Sequence, residues 1–587
     1  MKKHNVSHWI LDSKIEGMLY FAQRINEMLF DYTLDTHKGR TYNSLILCIE
    51  ALISIKQIEK GVIKDANIKH IIEELNWSLK QDTVIKHILA EDFDVIIPLL
   101  DSDKISNIKP ILELISVRVT PSKYEATCRG LLIKAIHDNK KISLDSYLES
   151  WLCIVKLMGY SEEYIYNTAN NYFFGTDHTV DSVEYLQGFF DLINFEQKSY
   201  DVYVIVDKSL VHIISQSNFN DNITCDVVLP KNISSKKRQS FNLKKNSNKH
   251  SKIIKVTTSN SLDIYSAYEN VRYQISSILN LFAFFHHKSR PKIIDDFLVV
   301  NEDNAYIISK PISPITKGVD ANITIATNKM KKMLQGNAPV KETMASIDKV
   351  MTLHSLCIEN SSIMNQLLNL WTAIEIIVPI DHNCGRDKIV QISDTIGIML
   401  TLKYSSKIFS DLYKSMKLWD EHTLNNYISK VPEEYGSDLD RFIAFIVLPE
   451  YDTDRKDLFN LLNDFPLLRY RIYSINKKFS TPKAIHDTLS NHLQKLSWHM
   501  RRIYRARNSM VHDLSNALFV ENIVTNIHSY IDEFVTTLLS LIQKDGKIMT
   551  IEQGMQYGAL AYAYKMKYIK DVAALTAENY KSILLWN

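Results

Sequence analysis

Glycine and proline are scarce in this chain, at 15 and 13 of 587 residues. Few positions can supply the tight reversals an all-β protein needs, so the fold is pushed towards helix. The apolar spacing agrees. Between about Ser7 and Asn194, apolar residues return every three or four positions in Ile10 to Phe30, Ile71 to Leu79 and Leu148 to Leu157. Turn signals such as Asp101-Ser102-Asp103 and Thr120-Pro121-Ser122 separate such segments. The length suits two to four domains.

The texture changes near residue 198. Tyr203 to Val206 and Val211 to Ile214 are β-branched runs flanking Asp207-Lys208-Ser209. Val227 to Leu229, Ile253 to Val256, and Phe297 to Ile308 across Glu302-Asp303-Asn304 continue the pattern and predict strands. Lys231 to Lys255 holds nine Lys/Arg and no acid. It reads as a solvated loop or as an arm for an RNA backbone, with Lys236, Lys237, Arg238, Lys244 and Lys245 as the contacts. Pro314 to Val340 reads as a linker, after which helical patterns return in Leu367 to Val378, Ile389 to Leu402 and Leu458 to Leu468. The expected fold is mainly α: an N-terminal α-helical region (1–197), a small β-containing subdomain (198–313), a linker (314–345), a helical bundle (346–545) and a helical tail (546–587). The tail carries Tyr562, Tyr564, Tyr568 and Trp586, a set suited to packing or to a dimer surface.

A formal net charge of only +2 excludes a uniformly basic nucleic-acid coat, so any such contact must be a local patch. Cys48, Cys128, Cys153, Cys225, Cys357 and Cys384 show no C-x-x-C pair and no zinc-finger spacing, which predicts reduced thiols. No signal-peptide core follows Met1-Lys2-Lys3-His4, and the apolar run Ile275 to Phe285 is short and broken by Ser276, Ser277 and Asn280. A soluble cytoplasmic protein without membrane contact is expected. A Gly-rich phosphate loop, a G-x-S-x-G nucleophile elbow and a Rossmann fingerprint are all lacking, which disfavours ATP hydrolysis and hydride transfer.

Chemistry concentrates on a long helix predicted to start after Thr481-Pro482, with Thr481 as cap and Pro482 in the first turn. Ile485, Leu489, Leu493, Leu496, Met500, Ile503, Met510 and Leu514 form one apolar stripe. Arg501, Arg505, Asn508 and His512 form a polar one, within about 60° on an ideal helix. Such a group suits RNA cleavage without metal. Histidine can take or give the proton of the attacking 2′-hydroxyl near neutral pH. Arginine offers a permanently charged fork of donors to phosphate oxygens.

The run Trp498-His499-Met500-Arg501-Arg502-Ile503-Tyr504-Arg505-Ala506-Arg507-Asn508-Ser509-Met510-Val511-His512-Asp513 resembles the R-N-x-x-x-H helix of the HEPN superfamily, particularly the Apea-like HEPN domains of bacterial defence proteins. Leu370-Trp371-Thr372-Ala373-Ile374-Glu375 resembles the helix that opens the same domain, so the likeness covers roughly residues 350–545. It implies a helical bundle that forms a homodimer, with two such motifs facing each other. It further implies a metal-independent ribonuclease that leaves a 2′,3′-cyclic phosphate and a 5′-hydroxyl, without cofactor. Arg507 and His512 would be catalytic and Asn508 supporting. Charge and spacing add Arg501, Arg502 and Arg505 as RNA-backbone contacts. The role implied is anti-phage defence by abortive infection, or a toxin, acting on RNA such as tRNA and released by a phage-derived trigger. The alternative is a non-catalytic module that binds RNA, nucleotide or protein.

On a straight helix Arg507 lies about 140° from His512, within the apolar stripe. A buried, unpaired arginine is costly. Three arrangements answer this: a kink near Arg505, a guanidinium that reaches out to a dimer cleft, or a carboxylate partner such as Glu375. His486, His492 and His499 recur at spacings of six and seven, unlike helical metal ligands, and no metal is expected. Asp452 to Asp457 reads as a solvated helix start.

Overall fold

The computed structural model describes the chain apart from residues 1, 30–41, 64, 103, 177–178, 218–221, 247–249, 303, 312, 317–321, 336–339, 361, 382, 513–517, 545–547 and 587, and apart from the side chains of 66–67, 217, 246, 332–335, 512 and 543–544. It is mainly α, with one small antiparallel sheet in the middle of the chain. The chain forms two compact units, one of residues 1–153 with 313–587, the other of 154–312. These boundaries differ from those read off the sequence. The N-terminal helices share a unit with the C-terminal ones, and the β-containing unit begins at 154 rather than 198. Side-chain bonds account for the earlier start. Asp263 accepts from the Ser161 N–H (2.8 Å) and hydroxyl (2.9 Å), and the Asn167 amide donates to the Tyr265 hydroxyl at 2.7 Å. The expected linker contains the helix Ile323–Gln335 and the start of Lys341–Glu359.

The 154–312 unit is built on strands β1 (Lys198–Asp207), β2 (Ile223–Thr224), β3 (Ser251–Ser261), β4 (Phe297–Asn301) and β5 (Asn304–Ile308), in the order β2-β3-β1-β4-β5. The central strand pairs Val202 with Val256 on one side and Val299 on the other. Tyr200, Val202, Val204 and Val206 face a core shared with the helices Lys208–Ser217 and Ile264–Phe285. Tyr203 and Ile205 face a second core with Leu229, Ile233 and Phe241. Burial on both faces explains why β1 reads as an unbroken apolar run. Two expected strands are corrected. Val211 to Ile214 lies in the helix Lys208–Ser217, because Leu210 and Ile214, one turn apart, both reach the sheet. Val227 to Leu229 is irregular, joined to β3 by one bond from the Val227 N–H to the Ile253 carbonyl at 3.1 Å. The Phe297 to Ile308 hairpin forms as expected, with Glu302 at φ +49° in the turn.

In the larger unit, Leu370, Trp371 and Ile374 of the helix Ile363–Ile377 share a core with Ile392, Ile396 and Met399 of Lys388–Ile428. Leu496, Met500 and Ile503 of Pro482–His512 and Val524, Ile527 and Phe534 of Val520–Lys544 complete it. Asp420 breaks the helix Lys388–Ile428 (φ −158°, ψ 104°) and caps its second part, accepting from the His422 and Thr423 N–H groups at 2.9 and 3.1 Å. Leu458 to Leu468 is two helices, Asp452–Leu461 and Pro466–Phe479, because Pro466 can start a helix but not continue one. The N-terminal helix Glu16–Leu29 is buried almost all round. Its Gln23 carboxamide accepts from the Leu467 N–H at 3.2 Å, and Glu27 pairs with Arg24 and with Arg471 (2.8 Å).

Candidate functional site

The helix Pro482–His512, hereafter the motif helix, starts as expected: Thr481 Oγ1 accepts from the Ala484 N–H at 3.2 Å. Ile485, Leu489, Leu496, Met500, Ile503 and Met510 are buried along its stripe. It packs on Lys388–Ile428, Pro466–Phe479 and Ile551–Asp571. Gly397 lets the first of these approach closely, since a Cβ there would lie 2.7 Å from Leu493 Cδ1. The two segments quoted for the resemblance meet: Trp371 packs on Tyr504 with ring centres 5.6 Å apart.

The helix assignment is continuous through residue 507. Arg507 and Asn508 are both half-buried, and Arg507 Nη1 donates to Asn508 Oδ1 at 3.0 Å. The guanidinium thus leaves the stripe, whose neighbours Ala506 and Met510 are buried, for a partner at its edge. Glu375 is engaged elsewhere, with Lys388 at 3.0 Å. The backbone of His512 closes the helix, and its side chain lies outside the described residues.

The other three arginines separate. Arg501 is half-buried, its Nε 3.3 Å from Ser497 Oγ. Arg502 and Arg505, expected to face an RNA backbone, are buried instead. Arg502 donates to Glu74 at 2.6 Å and Glu50 at 3.3 Å, and its guanidinium carbon lies 3.9 Å from the centre of the Tyr42 ring. Arg505 pairs with Glu50 at 2.7 Å. Glu50 belongs to the helix Ser44–Glu59 and Glu74 to Ala66–Leu79, so N-terminal helices cover this face of the motif helix. Gln57 donates to Ser509 Oγ at 2.8 Å, and Trp77 packs on Trp498 at 5.4 Å. Burial alone would raise the Glu50 carboxyl, but Arg502 and Arg505 hold its pKa below the ordinary value. Burial would lower the Arg502 guanidinium, and Glu50 and Glu74 hold it above its own. Two arginines and two carboxylates balance in charge, which is what makes their burial tolerable. Beside them lies a cavity of about 610 Å³, lined by Trp77, Tyr404, His492, Lys495, Trp498 and Arg502 among others.

The basic segment of the smaller unit is a helix, Ser235–Asn246, rather than a loop. Phe241 anchors it in the sheet core. Lys236 is exposed, whereas Arg238 and Lys245 are half-buried. Lys237 donates to the Ala305 carbonyl at 2.5 Å and lies 5.3 Å from the Tyr306 ring centre, and Lys244 pairs with Asp296 at 2.6 Å. Two of the five proposed cations therefore already have protein partners.

On the motif helix, His486 lies 3.6 Å from Asp487, His492 stacks on Tyr404 with ring centres 3.7 Å apart, and His499 Nδ1 bonds the Tyr530 hydroxyl at 2.9 Å. Each meets a different residue, and His492 and His499 both line the cavity beside Arg502. Asp452 starts a helix and pairs with Arg455. In the tail, Tyr562 and Trp586 pack against the bundle core, while Tyr564 is exposed and stacks on Tyr568 at 6.4 Å. No protein-family model matches the chain, and neither does any curated protein or solved structure.

Proposed function

We propose that this protein is a metal-independent endoribonuclease of the HEPN type. The run Arg507 to His512 carries the reading: Arg507 and Asn508 are half-exposed and bonded to each other, at the edge of the stripe that buries the helix in a helical bundle. In the proposed reaction His512 takes the proton of an RNA 2′-hydroxyl, whose oxygen then attacks the adjacent phosphorus. The bond to the 5′-oxygen breaks as that oxygen takes a proton from solvent, to which His512 releases the one it accepted, leaving a 2′,3′-cyclic phosphate and a 5′-hydroxyl. Arg507 stabilises the added charge on the phosphorane, and Asn508 orients the guanidinium through the bond it already accepts. Arg501 is the backbone contact the motif helix offers at once. Arg502 and Arg505 reach RNA only if Glu50 and Glu74 withdraw, so the N-terminal helices act as a restraint on the nuclease.

This reading calls for a cytoplasmic protein acting on RNA, tRNA included, in anti-phage defence or as a toxin, with a phage-derived signal to lift the restraint. A homodimer would bring two motifs together. Purified protein incubated with total RNA or tRNA should cut it, with or without EDTA. His512→Ala and Arg507→Ala should each abolish cleavage without loss of helical content. Undiminished cutting by either variant, or loss of cutting in EDTA with the fold intact, overturns the reading. A His512→Ala protein that keeps full cellular activity would instead indicate a module that binds RNA without cutting it.

A further inference from the structure

The helices Lys341–Glu359 and Val520–Lys544 bring together three side chains that the nuclease chemistry does not use. His528 and Asp532 stand one turn apart on one face of the second helix, and His354 reaches them from the first. His354 Nε2 lies 2.9 Å from His528 Nε2 and 3.0 Å from Asp532 Oδ1. The two rings are stacked 4.8 Å apart at 21°, and His528 Nδ1 lies 3.7 Å from Asp532 Oδ2. One ligand atom from each of the three falls within 4.8 Å of the others.

Two imidazole nitrogens 2.9 Å apart cannot both carry protons, so at least one lone pair points at the other ring. Asp532 adds an anionic oxygen at the same spot. Electron pairs converging this way require something positive between them, either a single proton or a metal ion. Two further observations favour the ion. Bonds of about 2.0–2.1 Å to a tetrahedral Zn²⁺ place its ligand atoms roughly 3.3 Å apart, near the 2.9 and 3.0 Å that separate His354 Nε2 from His528 Nε2 and Asp532 Oδ1, within a set that spans at most 4.8 Å. The supports are also fixed, because Val350, Cys357, Ile527 and Ile531 on the same two helices are buried in the bundle core. The Cys357 thiol donates to the Gln366 carbonyl at 3.6 Å and takes no part.

We propose that His354, His528 and Asp532 form a binding site for a divalent late transition-metal ion, with Zn²⁺ as the reference. Two imidazoles and one carboxylate suit Zn²⁺, Co²⁺ or Ni²⁺ and not Mg²⁺ or Ca²⁺, which take oxygen ligands. Asp532 is 52% exposed, so water can fill the fourth position. The ion clips together two helices whose ligands are 174 positions apart in sequence. None of the three residues belongs to the Arg507–His512 run, and the inference stands whether or not the chain cuts RNA.

The test uses untagged full-length protein, stripped with chelator and dialysed against Zn²⁺, Co²⁺ or Mg²⁺, with metal analysis and calorimetric titration. The expected result is one Zn²⁺ per chain and no Mg²⁺ at the same concentration, with Co²⁺ giving the visible absorption of a low-coordinate ion. His528→Ala and Asp532→Ala should each weaken Zn²⁺ binding at least about tenfold. His354→Gln should do the same, and unchanged circular dichroism of the stripped variants shows that fold is not the cause. Equal stoichiometry and affinity in wild type and all three variants, or no Zn²⁺ bound by the wild type, overturns the site and leaves a shared proton.

Discussion

Glu50 and Glu74 hold two arginines that an open polar face would have offered to RNA, and the energetics of this group can be tested one residue at a time. Glu50→Ala leaves Arg505 buried without the carboxylate it pairs with and should cost about 3–5 kcal/mol in denaturant unfolding, far more than an exposed ion pair would. The pH dependence has a definite sign. The folded-state pKa of Glu50 is depressed below its ordinary 4.5, so its contribution is complete above that value and is lost as pH falls through the lowered one. The stability gap between wild type and Glu50→Gln should therefore shrink below pH 4.5. Lys565 behaves oppositely. Burial lowers its ammonium from 10.5 to about 8, and among the described residues Nζ has no hydrogen-bond partner. Between those values the unfolded chain binds a proton that the folded chain lacks, so stability should rise with pH across that window. Lys565→Met should stabilise the protein at pH 7 by roughly 1–3 kcal/mol and lose its advantage above pH 10.5. A denaturation series without either trend would refute the assignment of these groups.

Helices and strands were legible in the chain to different degrees. The start of the motif helix, cap included, and its apolar stripe as far as Met510 could be read, because Thr481, Pro482 and the stripe act within a few residues of one another, while Leu514 lies outside the described residues. Thr481→Ala should cost about 1 kcal/mol, measured as a shift in the unfolding midpoint. The segments Lys208–Ser217 and Ser235–Asn246 were not legible as helices. In the first, β-branched residues favour a strand locally, yet a sheet with a free face rewards a helix that buries Leu210 and Ile214. In the second, one aromatic anchor, Phe241, outweighs a run of cations that alone looks solvated. Phe241→Ala should cost about 3–5 kcal/mol and release this helix, seen as faster amide exchange over 235–246.

At the scale of the molecule, the boundaries follow long-range contacts rather than composition. Both cores of the sheet unit are closed by residues between 200 and 308, so residues 154–312 expressed alone should fold cooperatively. Residues 1–153 should not, since Glu27, Glu50 and Gln57 complete their surroundings with groups from Arg471 and the motif helix. Circular dichroism and thermal melts of the two fragments check this. A cooperative transition in the 1–153 fragment would contradict it.

Sequence alone determined the mainly α fold, the central β-containing region, the start and stripe of the motif helix and the Arg507 to His512 run. These depend on turn chemistry and on periodicities of two and 3.6 residues, which operate over a few neighbours. Tertiary structure decided which arginines of that helix are open and which are locked. The pairs Glu50–Arg502, Glu74–Arg502 and Glu50–Arg505 span 452, 428 and 455 positions, and no local pattern announces them. It decided likewise that His354 meets His528 and Asp532. Which faces meet is settled by burying every apolar stripe at once, and only the packed chain shows the outcome.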